Sequence, residues 1–319
     1  MTSDERTKTL ISPRQNTIFI KSMTHITQLL AKGPTYSFEF FPPKSDSEHA
    51  TLTATLQDLQ PLDPSFVSVT YRGGAESRQR TLDLVSAMLH TTSLVPMAHL
   101  ICIAHSRLEL ADILVTLRKS GIENLMALGG DPPQDHDGST QSSELAHAIE
   151  LVELARAVGG FSIGVAAHPA GHPASKSLEQ DRDYLAEKLE KADFAITQFF
   201  FNISEYESLR QDLLKRGITK PILPGIMPIT SLASIPRMAT MGAAVPDWLI
   251  KRLNTAKERA QRAENNPQEA VREVGVQIAT ELCQALLESG APGLHFYTLN
   301  RSSATREIYS ALGLGPSST

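Results

Sequence analysis

The stretch Tyr36-Ser37-Phe38-Glu39-Phe40-Phe41-Pro42-Pro43 sets one carboxylate inside an apolar run and ends that run with two prolines. Side chains alternate along an extended chain, so Ser37, Glu39 and Phe41 share one face while Phe38 and Phe40 take the other. Proline has no N–H for a ladder, which ends the strand at Phe41. Among aromatic neighbours a carboxylate loses hydration. The expectation is therefore a raised pKa and a proton held near neutrality, as a general acid requires. Pairing with a lysine, or capping the next loop, is the other reading of the same residue.

Similar short apolar segments recur at 66–71, 95–102, 123–129, 161–168, 194–200, 221–227 and 293–299. Each is followed by a turn and a polar stretch, several with helical spacing: 49–59, 76–89, 106–120, 144–158, 178–191, 204–215, 231–241 and 271–289. Residues 246–264 add an extra helix before the last one. Eight strand-plus-helix units predict an α/β (β/α)₈ TIM barrel in one domain over 23–319, after a flexible N-terminal arm over 1–22. A doubly wound open sheet is the runner-up, but it gives no reason for the count of eight.

A barrel gathers the C-terminal ends of its strands at one mouth. Those ends carry Glu39, Thr70, His99, Asp131, His168, Gln198, Asn300 and Arg301. One polar side chain at a strand end can simply anchor a loop. A set at equivalent positions of successive units converges, and that favours a catalytic Glu39.

Composition narrows the partners. The 319 residues are 41% hydrophobic and 20% charged with a formal net charge of −5, so nothing marks a general nucleic-acid surface. No apolar run has the length of a membrane span. Cys102 and Cys283 lie far apart and outside any CxxC pair, as expected of buried thiols in a reducing cytoplasm. There is no GxSxG elbow. His168 and His172 stand four apart, but Pro169 and Pro173 argue against a helix presenting both to a metal. Gly129-Gly130-Asp131-Pro132-Pro133 permits close backbone approach by a flat or phosphorylated ligand, or is a tight turn.

The motifs FEFFPPK (38–44), FVSVTY (66–71), AHL (98–100), the 130–133 stretch, HPxxK (172–176), AITQFFF (195–201), PGIMP (224–228) and HFYTLNR (295–301) occur in register. Together they make the chain resemble a methylenetetrahydrofolate reductase of the short bacterial type, from about Tyr36 to Leu312. The resemblance implies reduction of 5,10-methylenetetrahydrofolate to 5-methyltetrahydrofolate, as in methionine synthesis. It implies Glu39 as the acid and Asp131, Gln198, Tyr297 and Arg301 as substrate contacts. Folate and a nicotinamide dinucleotide, NADH or NADPH, are the implied partners, and homo-oligomerisation is left open.

The family usually relays hydride through FAD. Of the flavin-side positions, Thr70, His99, Gly130, Asp131, His172, Asp181 and Lys188 are kept. Others depart: Gly129 replaces an Arg, His168 a Tyr, Tyr184 an Asn and Glu187 an Arg, while Gln141 replaces a Tyr in a loosely aligned loop. The two arginine changes leave the region near the flavin pyrophosphate three charge units less positive. At about 1.5–3 kcal/mol per charge-assisted hydrogen bond, losing two weakens binding by about 10²- to 10⁴-fold. FAD is therefore doubtful, and the expectation is direct hydride transfer from the nicotinamide. Tyr184 is expected to fill part of the vacated space. An ordinary FAD-dependent reductase and a non-catalytic folate-binding subunit are the alternatives.

Overall fold

The computed structural model describes residues 24–71, 75–130, 144–241 and 243–314. The N-terminal arm expected over 1–22, together with Asp131 and Gln141, lies outside the described residues.

In chain order the elements are α1 (Ile26–Leu30), β1 (Thr35–Phe40), α2 (Asp46–Leu59), β2 (Phe66–Val69), α3 (Ala75–Thr91), β3 (Pro96–Ile101) and α4 (Arg107–Lys119). Next come β4 (Asn124–Leu128), α5 (Ala148–Val158), β5 (Ser162–Ala167), α6 (Leu178–Lys191), β6 (Phe194–Thr197) and α7 (Ile203–Lys215). They are followed by β7 (Ile222–Leu223), β8 (Gly225–Ile226), α8 (Ile235–Thr240), α9 (Asp247–Arg262), α10 (Pro267–Glu288), β9 (Gly293–Tyr297) and α11 (Ser303–Ala311). All strand pairs are parallel, in the order β7-β6-β5-β4-β3-β2-β1-β9-β8.

The two ends of that order are one chain segment. The expected seventh strand is broken at Pro224: Leu223 pairs with Ile196, whereas Gly225 pairs with His295. Proline supplies no donor there. The Thr197 side chain accepts the Gly225 N–H at 2.9 Å, and the Tyr297 hydroxyl donates to the Thr197 carbonyl at 2.7 Å. A β-carbon on Gly225 would fall 2.2 Å from the Thr197 carbonyl oxygen, so only glycine fits this seam. The barrel is thus built from eight strand units, one of them split.

Phe38 and Phe40 are fully buried in the layer between barrel and helices, where Phe38 meets Phe296 and Tyr309. Each contributes roughly 2–3 kcal/mol by burial. The inner face holds a separate cluster of Phe66, Met97, Met126, Phe194, Ile196 and Leu223, stoppered at the N-terminal end by Ile26 of α1. Asn124 fastens that stopper: its side chain accepts from the Ile26 N–H at 2.8 Å and donates to the Thr24 carbonyl at 3.1 Å. Serine caps start the outer helices, with Ser45 accepting from the Glu48 N–H and Ser106 forming a capping box with Glu109.

Three sequence expectations change. The helix expected over 231–241 is only the short α8 after one 3-10 turn, while α1 and α11 were not foreseen. Both cysteines are buried as expected, and burial raises both thiols, Cys102 to about 11. No helix among the described residues is long and apolar enough to cross a membrane.

Candidate active site

Alternation along β1 turns Ser37 and Glu39 into the barrel. The register puts Glu39 between Ser68 of β2 and Tyr297 of β9, and Ser37 beside His295. Glu39 Oε2 lies 3.5 Å from His99 Nε2, 3.6 Å from His295 Nε2 and 3.4 Å from Ser68 Oγ. His295 is fully buried, and its Nδ1 is 2.7 Å from Ser37 Oγ. A buried carboxylate between two imidazoles therefore stands at the C-terminal mouth.

The electrostatics correct the expectation of a raised pKa at Glu39. Desolvation is the largest influence and does push it up. The imidazole of His295 3.6 Å away, the charge of His99, and Ser68 together outweigh it, leaving the carboxyl below its ordinary value. Burial lowers His99 despite the opposing pull of Glu39. Such close groups titrate as a unit, so the proton belongs to the cluster rather than to Glu39 alone. The Tyr297 phenol is pushed well up by burial and by Glu39, and it stays protonated.

The end of β1 is tied to the loop after β9. Thr298 Oγ1 donates to the Glu39 carbonyl at 2.6 Å, and the Asn300 amide both accepts from the Phe41 N–H and donates to the Phe41 carbonyl. Leu299 and Asn300 take left-handed backbone angles, φ 52 and 55, which turn the chain sharply. Arg301 follows, exposed at this rim and without an ion pair among the described residues.

Gln198 is held: its Nε2 donates to the Met241 carbonyl at 2.7 Å and its Oε1 accepts from the Phe199 N–H. Tyr297 spends its hydroxyl on the barrel seam. At the end of β2, Thr70 Oγ1 is buried with no hydrogen-bond partner among the described residues.

Of the positions expected on the flavin side, Thr70 and His99 lie at β2 and β3, and the others at a second corner, where β4 and β5 end. Gly129 has open space where a β-carbon would stand. His168 packs edge-on against His172 at 4.7 Å, and burial, then His172, lower it to about 4. Asp181 accepts from the His172 N–H, Ser175 Oγ and Arg182. Lys188 Nζ donates to the Ala166 carbonyl at 3.0 Å. Tyr184 does not fill vacated space: it is 52% exposed and its hydroxyl accepts from Gln180. Glu187 is also exposed. No cluster of three or more metal-ligating side chains exists among the described residues.

The residue that sequence reasoning missed is His295. It sits inside the HFYTLNR motif, and its alternation with Tyr297 was the available signal.

A parallel barrel whose mouth encloses a carboxylate between two imidazoles is an acid–base site where barrel enzymes carry their chemistry. The methylenetetrahydrofolate reductase family model matches residues 4–313. A 5,10-methylenetetrahydrofolate reductase of Pectobacterium carotovorum subsp. carotovorum is 36% identical over 282 residues, covering 88% of this chain and 90% of that protein. The protein of the same name from Escherichia coli K12 is 34% identical, covering 88% and 91%. A probable methylenetetrahydrofolate reductase (NADH) of Oryza sativa is 33% identical, and the match spans 92% of this chain but 51% of that protein. Among solved structures, an uncharacterized protein from Clostridium thermocellum that binds two copies of 5-methyl-5,6,7,8-tetrahydrofolic acid aligns with TM-score 0.57 over 89% of this chain and 96% of its own. At 14% identity that likeness is one of fold. The chain belongs to the methylenetetrahydrofolate reductase family.

Proposed function

We propose that this chain reduces 5,10-methylenetetrahydrofolate to 5-methyltetrahydrofolate with hydride taken directly from NADH or NADPH. The observation that carries the reading is Glu39 Oε2 inside the mouth, within 3.6 Å of both His99 and His295. The methylene carbon bridges N5 and N10. A proton passed from the cluster through Glu39 to N10 breaks the N10–carbon bond and leaves an iminium on N5. The dihydronicotinamide supplies the hydride that turns this carbon into a methyl group and becomes a pyridinium. One proton and one hydride are consumed per turnover.

Asp131 is proposed to accept hydrogen bonds from the pterin, and Gln198 to reach the same ring once released from Met241. Arg301, exposed in the loop after β9, suits the folate glutamate carboxylate. Tyr297 acts by keeping a protonated phenol beside Glu39 while it clasps the seam.

The β4–β5 corner does not fit a tightly held FAD. Gly129 brings no cation, Glu187 is a carboxylate, and Arg182 is consumed by Asp181 and the carbonyls of His168 and Pro169. The connecting stretch 131–143 contains Asp131, Asp135 and Asp137 but neither lysine nor arginine. Lys188 and Lys176 are left as the cations after β5. Thr70 Oγ1, buried and unpartnered, leaves a polar contact for a bound ring of either kind.

The test is the visible spectrum of the purified chain, followed by assay with methylenetetrahydrofolate and each nicotinamide without added flavin. A colourless protein that forms methyltetrahydrofolate is expected. Stoichiometric flavin whose removal abolishes activity would defeat direct transfer.

A further inference from the structure

We propose that His105 is a positioning residue for the nicotinamide dinucleotide: paired with Tyr71, it fixes the segment 102–107, which grips both described ends of the connection that follows β4. The ligand named here rests on the direct-transfer reading above, with the dinucleotide at the rim where β2 to β5 end.

Neither side chain of the pair faces the mouth chemistry. Ser68 faces Glu39, so alternation turns Thr70 inward and Tyr71 outward. There Tyr71 meets His105 of the loop after β3: the rings stack with centroids 5.9 Å apart, and the hydroxyl is 2.7 Å from Nε2. Both residues are buried. Burial raises the phenol and lowers the imidazole, so both are neutral at pH 7. Nδ1 of His105 has no hydrogen-bond partner among the described residues, but it faces Glu109 Oε2 at 3.8 Å. A proton is favoured on the nitrogen beside that carboxylate, which leaves Nε2 to accept from the Tyr71 O–H. One bond thus fixes both the tautomer of the ring and the place of residue 105.

The segment held in this way touches two places far apart in sequence. On one side the Cys102 and Ile103 N–H groups donate to the Leu128 and Gly129 carbonyls, each at 3.0 Å, and Cys102 Sγ is 3.2 Å from the Gly129 carbonyl. Gly130, at φ +88, packs so closely on Ile103 that a β-carbon would fall 2.5 Å from its side chain. On the other side the Glu144 N–H donates to the His105 carbonyl at 3.3 Å, and the Glu144 carboxylate accepts from the Arg107 N–H at 3.0 Å. Between the two grips Ala104 takes φ 59, a left-handed angle that alanine rarely adopts and that persists where both flanks are held. A shift at His105 therefore reaches Gly129 and Gly130 at the rim. Glu39 and His295 stand on β1 and β9, outside this chain of contacts.

The simpler role for the pair is to fill the packing beneath the start of α4. The two roles separate when steady-state kinetics are joined to amide hydrogen exchange, on the full chain and its His105→Phe, His105→Gln and Tyr71→Phe variants. In His105→Phe, exchange at the Ile103 and Glu144 amides is expected to quicken about 10-fold. KM for the hydride donor the parent uses, NADH or NADPH, is expected to rise about 3- to 10-fold, as for a lost hydrogen bond, with kcat and the folate KM within about twofold of the parent. Tyr71→Phe is expected to repeat this pattern, and His105→Gln, whose amide oxygen can accept from the Tyr71 O–H, to restore most of the parent behaviour. If thermal stability falls while the donor KM keeps the parent value, the pair only packs and the proposal is overturned. Unchanged exchange at Ile103 and Glu144 overturns the grip itself. Essential flavin in the parent's visible spectrum defeats the direct-transfer reading and with it the ligand named here, a result separate from either of those.

Discussion

The two ends of the barrel solve opposite problems with similar residues. At the N-terminal end Asn124 gives its amide to the backbone of α1, and Ile26 closes the apolar interior above it. At the C-terminal end His99 Nε2, His295 Nε2 and Thr70 Oγ1 are buried without a well-formed hydrogen bond among the described residues. Unmet polar groups cost stability where they are enclosed. Thr35 Oγ1 at the start of β1 is likewise buried and unpartnered, so what separates the two ends is the carboxylate–imidazole cluster at the mouth against the apolar plug opposite.

This contrast can be broken most severely at Glu39. Glu39→Gln is expected to lower kcat by about 10²- to 10⁴-fold, the range of a lost general acid, while thermal unfolding stays near the parent value. Near-normal turnover would remove Glu39 from the mechanism. The mirror experiment is Asn124→Ala at the closed end. It strands the Ile26 N–H, so urea unfolding should show a loss of about 1–3 kcal/mol, with kcat per folded molecule retained.

A finer probe is pH. His168 is held neutral by burial, its value about 4 against the ordinary 6.5, so the unfolded chain binds its proton first on acidification. Its contribution is complete above pH 6.5 and is lost as pH falls toward 4, about 2 kcal/mol between pH 7 and 5. His168→Gln should flatten that part of the urea-midpoint profile. A slope identical to the parent's would mean that another group carries it. The smallest effect belongs to Thr70→Val, which removes a stranded hydroxyl and should raise stability by about 1 kcal/mol while weakening ligand binding.

Much of this was legible in the sequence because alternation is a strong signal. The pattern around Glu39 fixed which side chains face inward, and the recurring units gave a barrel. What it could not give were contacts between distant strands. The lowered pKa of Glu39 depends on His295, 256 positions away in the chain, whereas local aromatics suggested only desolvation. Pro224 announced a broken ladder, but the replacement by Thr197 and Tyr297 required the closed barrel. The short α1 had too few residues to show a period. In α11 the buried Ala304, Thr305, Ile308 and Tyr309 do follow helical spacing, hidden among polar residues.

The split at Pro224 also shapes how the ring can move. Around most of the circumference, neighbouring strands are sewn by backbone ladders that must be undone together. Past Leu223, closure toward β6 depends on one threonine and one tyrosine. Thr197 is followed directly by Gln198, whose amide is bound to Met241. The mouth therefore has a clasp built into its wall one residue before Gln198. A change at either side chain would loosen the ring at that one point of the rim, away from the ladders that join β1 to β2 and β9.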